Sequence, residues 1–109
     1  MINIINISKD NIPKINYFYC GRGSPVGNPF KMKNQSAIER NKVCDNYYLW
    51  FKSELLDEKS EVSKFVKLIC DSYEYSDITL GCYCAPKKCH CETIREHVEL
   101  DYNYKLLGI

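Results

Sequence analysis

The sequence predicts an α/β fold, with α+β as the alternative, in which about three helices pack on a small mixed three-stranded sheet. Apolar residues alternate with polar residues in three short segments, as they do in strands. In three longer segments the apolar residues recur every three or four positions, as they do in amphipathic helices. The chain has 109 residues, which suits a single domain spanning residues 1–109.

Two strands are predicted before the first helix. Isoleucines alternate roughly with Asn and Ser over residues 2–7, and a turn follows at residues 9–11. Ile15, Tyr17 and Tyr19 then occupy alternate positions of a second strand whose two faces are both at least half buried. The short connection between these strands predicts a β-hairpin.

Three helices and a third strand are predicted in the remainder of the chain. Ser36 and Glu39 form a capping box that predicts a helix over about residues 36–56, and Ser60 caps a second helix with one apolar face. Alternation over residues 78–84 predicts the third strand, and an apolar stripe predicts a final helix over about residues 89–104. A right-handed crossover through the first two helices would make the second and third strands parallel neighbours.

Composition and charge exclude several classes of function. The formal net charge is +1 and the sequence pI is about 7.5, which is unlike a general nucleic-acid coat or a polybasic membrane binder. The first residues lack the features of a secretory signal, and no apolar run reaches the roughly 18 residues that span a bilayer. We therefore expect an intracellular, cytoplasmic protein that does not bind membranes, and the net charge indicates no nucleic-acid partner.

The seven cysteines are an odd number in a chain expected to occupy a reducing compartment. A disulfide framework is therefore a poor interpretation, and metal binding, thiol chemistry and simple burial remain. Four of the cysteines lie within "GCYCAPKKCHCE", residues 81–92. The other three lie inside apolar elements, which favours burial for them.

The segment over residues 81–92 supports two functional interpretations. Its metal-ligating residues are three thiols and an imidazole, an acceptable zinc set with zinc as the possible cofactor: Cys82, Cys84, Cys89 and His90. Alternatively, Cys89 lies beside Lys87 and Lys88 at a predicted helix N-terminus, which would stabilise a thiolate nucleophile with His90 as base or acid, or would bind a phosphate. The simplest alternative makes Cys82 and Cys91 core residues.

A second unusual segment is the loop "GRGSPVGNP", residues 21–29, which holds three glycines and two prolines. The prolines stiffen the loop, and Gly21 and Gly27 permit close approach of the backbone. Arg22, Ser24 and Asn28 are suited to hold a phosphate or carboxylate. The loop could also be no more than a turn that joins a strand to a helix.

Three motifs in this order resemble a family catalogued as domain of unknown function 4326, found in bacteria, phages and some eukaryotes. They are "GRGSPVGNPF", then Arg40 with Tyr47, Trp50 and Phe51, and then "LGCYCAPKKCH". The resemblance covers about residues 19–95 and allows a phage or viral origin. Where the family continues with Gly and usually Asp, this chain has Cys91 and Glu92. The resemblance also implies that four cysteines are dispensable: Cys20, Cys44, Cys70 and Cys91.

If the second and third strands are parallel, both unusual segments leave the same edge of the sheet, where ligands bind in open α/β folds. The leading hypothesis is therefore a pocket for a phosphorylated or nucleotide-like small molecule. Cys89, His90 and Glu92 would supply thiol or acid/base chemistry. The ligand-binding residues would be Gly21, Arg22, Ser24, Gly27, Asn28, Lys87 and Lys88.

The alternative hypothesis is a zinc-stabilised binding module for protein or nucleic acid, including one of viral origin. Its zinc ligands would be Cys82, Cys84, Cys89 and His90. It accounts for the second motif, but it leaves Arg22, Ser24 and Asn28 without a function.

Overall fold

A computed structural model describes residues 1–85 and 87–108, and it confirms the predicted class and order of elements. Two strands, two helices, a third strand and a third helix follow one another along the chain. Their bounds are β1 Ile2–Asn6, β2 Tyr17–Tyr19, α1 Ala37–Leu55, α2 Glu61–Tyr73, β3 Ile78–Cys82 and α3 Cys91–Leu106.

The sheet has the order β1-β3-β2, and both pairings are parallel. The predicted parallel pairing of β2 with β3 is confirmed, with Tyr19 opposite Gly81. The predicted hairpin between β1 and β2 is wrong, and the sheet is parallel rather than mixed. All five residues of β3 are buried, whereas β2 is only half buried. Both faces of β3 are covered, with Ile78, Leu80 and Cys82 on one and Thr79 and Gly81 on the other, so β3 occupies the centre and separates the two earlier strands.

The predicted helix caps are confirmed for α1 and α2. The Ser36 hydroxyl accepts a hydrogen bond from the Glu39 backbone N–H at 3.1 Å, and Ser60 accepts one from Ser63 at 3.0 Å. The third helix begins two residues later than predicted, at Cys91. The residue before it, His90, provides no side-chain cap.

A continuous apolar core joins the sheet to the helices. Tyr47 and Phe51 of α1 are fully buried and stack with ring centroids 5.6 Å apart. Ile94 of α3 and Leu80 of β3 are also fully buried. A methyl group on Gly81 would clash with the Tyr17 side chain, so the close packing of Tyr17 on β3 requires glycine at that position.

Among the residues that the structure describes, no helix combines the length and the apolar character needed to cross a bilayer.

The stability of the protein should depend on pH through His97, whose ring on α3 packs edge-on against Phe51 at 5.8 Å. Burial and the nearby Lys52 lower the pKa of His97, and Asp101 opposes them. Below the unfolded-state pKa of about 6.5, the unfolded chain takes up a proton that the folded chain does not. The free energy of unfolding should therefore fall as pH falls from about 6.5 towards the folded-state pKa, by at most about 1.4 kcal/mol per pH unit for this group.

His97→Gln should reduce the slope of stability against pH in urea unfolding measured between pH 5 and 7.5. An NMR titration of the wild-type imidazole rings, assigned with this variant, measures the same effect directly. A pKa for His97 at or above 6.5 would contradict the prediction.

Candidate functional site

Two loops leave the carboxyl ends of β2 and β3 side by side. Parallel pairing places these ends at one edge of the sheet, and the Cys20 N–H extends the ladder by donating to the Gly81 carbonyl at 2.9 Å. We call residues 20–30 the glycine loop, and residues 83–85 with 87–90 the cysteine loop. Both line one pocket of about 580 Å³, including its open mouth, together with the start of α1.

Three cationic side chains from three separate segments line this pocket. Arg22 comes from the glycine loop, Arg40 from α1 and Lys88 from the cysteine loop. The guanidinium of Arg40 is held in place because it donates to the Lys88 carbonyl and to the Gln35 side chain, both at 3.2 Å. None of the described residues that line the pocket is an Asp or a Glu. The pocket wall therefore has a positive potential.

The rest of the lining is largely apolar and aromatic. Phe30 and Met32 follow the glycine loop, and Val43 lies on α1. Tyr83 lies on the cysteine loop with 63% of its surface exposed. An exposed aromatic ring at a cationic pocket offers a face on which a flat ligand can stack.

His90 lies buried at the base of the pocket and connects the two loops. Its Nε2 bonds to the Cys20 carbonyl, and its ring packs against Tyr47 with centroids 5.0 Å apart. Because a carbonyl oxygen only accepts, Nε2 carries the proton and Nδ1 is the acceptor in the neutral ring. Burial lowers the pKa of His90, the Cys20 carbonyl opposes this, and Arg22 lowers the pKa further. The ring is therefore neutral at pH 7.

Several polar groups of the glycine loop maintain the shape of the loop itself. The Ser24 hydroxyl donates to the Gly21 carbonyl at 2.7 Å, and Asn28 Oδ1 accepts from the Phe30 N–H at 2.9 Å. A Cβ on Gly27 would lie 2.5 Å from the Gly21 carbonyl oxygen. Ser24 and Gly27 thus shape the loop without lining the pocket.

The structure brings seven of the predicted site residues to the pocket: Gly21, Arg22, Asn28, Cys84, Lys88, Cys89 and His90. Ser24, Gly27, Lys87 and Glu92 do not line it. Lys87 and Glu92 border a shallow cleft that Cys89 also reaches. The Glu92 carboxylate accepts a hydrogen bond from the Cys89 backbone N–H at 3.1 Å, which holds it in the turn before α3. Pro86 of the second motif lies outside the described residues.

Three cysteines form a buried group that we call the sulfur cluster: Cys82, Cys89 and Cys91. Their Sγ atoms all lie within 4.8 Å of one another, and those of Cys82 and Cys89 are 3.4 Å apart. Hydrogen bonds from the Cys82 and Cys91 thiols hold the pKa of Cys89 below its usual range. Contact with Cys82 and burial raise the pKa of Cys84, which lies beside the cluster.

The sulfur cluster differs from the predicted set of zinc ligands. Cys82 and Cys89 come together as expected, but His90 is bound to the Cys20 carbonyl. Its place is taken by Cys91, which the sequence pattern assigns to the core. Consecutive residues at a helix start point about 100° apart, so only one of His90 and Cys91 faces the sulfurs. The repeated Cys-x-Cys spacing at 82–84 and 89–91 was the available signal.

Arg40 and Tyr47 belong to a motif of the resemblance, but the sequence analysis assigns neither of them a role in the site. The Tyr47 hydroxyl donates to the Val26 carbonyl at 2.6 Å and so ties α1 to the glycine loop. Arg40 precedes Val43 and Tyr47 by three and seven positions, so the three share one stripe of α1. Arg40 and Val43 line the pocket, and Tyr47 packs against His90. An arginine at the end of an apolar stripe was the signal.

A family model described as domain of unknown function (DUF4326) matches residues 5–100 of the chain. No curated protein and no solved structure matches the chain.

Tyr47→Phe should lower the free energy of unfolding by about 1–3 kcal/mol, because it leaves the Val26 carbonyl without its buried donor. Tyr48→Phe on the same helix is the matched control, since Tyr48 is 44% exposed. Its effect should stay within about 0.5 kcal/mol. Urea unfolding of both variants measures the difference, and equal stabilities would show that the bond to the glycine loop contributes nothing.

Proposed function

Since the chain belongs to the DUF4326 family, whose name assigns no activity, we propose from its pocket that it binds a phosphorylated, nucleotide-like small molecule between the glycine and cysteine loops. One observation carries the proposal. Arg22, Arg40 and Lys88 come from three segments that are distant in sequence, and they converge on one pocket whose described lining residues include no carboxylate.

An anionic ligand accounts for this convergence. Three like charges repel one another when they share a pocket. A bound phosphate attracts all three and so offsets that repulsion. The planar guanidinium groups of Arg22 and Arg40 can each pair with two phosphate oxygens, while Lys88 supplies a single point charge. The cations are a local feature, because the whole chain has a formal net charge of only +1.

A flat apolar group on the same ligand accounts for the remaining walls. Phe30 and Met32 line the pocket, and the ring of Tyr83 stands exposed beside it. Stacking of a nucleobase on such a ring contributes about 1–3 kcal/mol. The space inside the pocket, apart from its open mouth, is about 130 Å³, which is less than the range of about 300–1,000 Å³ that is usual for small-molecule sites, so part of the ligand would lie in the open mouth.

Among the three residues predicted to perform chemistry, His90 is best placed to act on such a ligand. Its neutral ring lines the pocket with Nε2 occupied by Cys20, so Nδ1 is the nitrogen left to accept a proton or hydrogen bond from a hydroxyl group. Glu92 is engaged with the Cys89 backbone. Cys89 belongs to the sulfur cluster, and its side chain contributes a wall of the pocket.

The binding proposal can be tested by calorimetric titration with nucleoside monophosphates, the corresponding nucleosides and inorganic phosphate. Nucleotides should bind more tightly than either part alone, and more weakly as salt is raised. Arg40→Gln should weaken nucleotide binding about tenfold or more, because it removes a charged hydrogen-bond donor worth about 1.5–3 kcal/mol. Tyr83→Ala should weaken nucleotide binding and leave phosphate binding unchanged.

Arg95→Gln is the matched control, because Arg95 lies on α3 and pairs with Glu99 at 3.8 Å instead of lining this pocket. Its affinity for the same nucleotides should equal that of the wild type. Binding that is unaffected by both Arg22→Gln and Arg40→Gln would refute the proposal.

A further inference from the structure

We propose that Cys82, Cys84, Cys89 and Cys91 bind one zinc ion as four thiolates, at a site behind the pocket wall. This ligand set goes beyond the small-molecule function and does not depend on it. It also differs from the set expected from sequence, because Cys91 replaces His90.

The spacing of the sulfur cluster suits a tetrahedral ion. Zinc–thiolate bonds of about 2.3 Å place neighbouring sulfurs of a tetrahedral site about 3.8 Å apart. The three sulfurs lie within 4.8 Å of one another, with 3.4 Å between Cys82 and Cys89. Small side-chain rotations are therefore enough to surround an ion. The three residues are at most 4% exposed, so the ion would be shielded from water.

Cys84 is the fourth ligand that the geometry favours. It lies two residues after Cys82, the last residue of β3. Its thiol lies beside that of Cys82, since this contact is the largest influence on the pKa of Cys84. The Cys20 sulfur also lies near the cluster, beside Cys91, but its thiol already donates to the Phe18 carbonyl at 3.5 Å.

Positive groups surround the proposed site and would balance its charge. Four thiolates and one Zn²⁺ have a net charge of −2. The Arg40 guanidinium lies in the pocket that Cys84 also lines. Cys91 is the first residue of the 16-residue helix α3, whose N-terminal dipole stabilises negative charge. These groups fit bound thiolates better than neutral thiols.

His90 lies outside the sulfur cluster. Its Nε2 donates to the Cys20 carbonyl, and its ring packs against Tyr47. The other ring nitrogen, Nδ1, does not come within 4.8 Å of all three sulfurs. The sulfur of the next residue, Cys91, does lie in the cluster.

The first test measures metal in the full-length wild-type chain, purified without an affinity tag or chelator. Mass spectrometry of the metal content should give about one zinc per chain. After exchange of zinc for cobalt, the thiolate-to-cobalt absorption should have the intensity of four thiolates. A chain that holds no stoichiometric zinc and gives no cobalt absorption would overturn the proposal. So would a Cys82–Cys89 disulfide, found by peptide mass spectrometry of freshly lysed cells.

The second test identifies the ligands. Cys91→Ala should reduce bound zinc from about one per chain to near zero. Cys70→Ala is the matched control, because Cys70 is a buried helical cysteine at 8% exposure beside Asp101, outside the sulfur cluster. It should keep its zinc, and so should His90→Gln.

Loss of zinc from His90→Gln together with its retention in Cys91→Ala would overturn the proposed set in favour of three cysteines and a histidine. If Cys91→Ala does not fold, the cobalt spectrum of the wild type still decides. Three thiolates and an imidazole give weaker charge-transfer absorption than four thiolates, and that result would also refute the set.

Discussion

The site depends on the position of β3 at the centre of a parallel sheet. Parallel pairing makes β2 and β3 end at the same edge, so the glycine loop and the cysteine loop begin next to each other although about 60 residues separate them. The hydrogen bond from His90 to the Cys20 carbonyl then connects one loop to the other. With β1 in the centre instead, the two loops would start two strand spacings apart, roughly 10 Å. One histidine side chain could not then connect the two loops.

Local patterns in the sequence were sufficient to predict the elements, and the crossover rule predicted the pairing of β2 with β3, but the position of β1 was not predicted. Ser36 and Ser60 predicted their helices because a cap is a contact within four residues. The hairpin failed because the choice between pairing β1 with β2 or inserting β3 is made by burial of both faces of β3, with Ile78 and Leu80 on one face and Thr79 and Gly81 on the other. That requirement involves the whole core, and nothing in the short connection between β1 and β2 indicates it.

The difference between local contacts and contacts that depend on the whole core applies to the site as well. The two motifs indicated a shared pocket, and Arg22, Lys88 and His90 lie in it. Ser24 was assigned to ligand binding because its hydroxyl is a suitable donor, but in the loop this hydroxyl donates to the Gly21 carbonyl, which also accepts the Ser24 backbone N–H. The exchange of His90 for Cys91 in the sulfur cluster depends on the rotation of α3 about its axis. Arg40 belongs to the second motif of the resemblance, but its place in the pocket follows from the packing of α1, which the motif alone does not specify.

The pocket and the sulfur cluster share the cysteine loop, and this sharing links their stability. Residues 83–85 and 87–90 contain no strand or helix, and side chains hold this wall instead: Asn6 donates to the Tyr83 and Ala85 carbonyls, and Arg40 donates to the Lys88 carbonyl. The side chain of Cys89 contributes to the pocket on one side and to the sulfur cluster on the other. An ion that joined this loop to β3 and α3 would fix the wall at little cost in apolar burial, since the cluster is already inside the core. The phosphate-binding geometry would then be set by the metal as much as by the sheet, because Arg40 contacts the Lys88 carbonyl and lies in the pocket that Cys84 also lines.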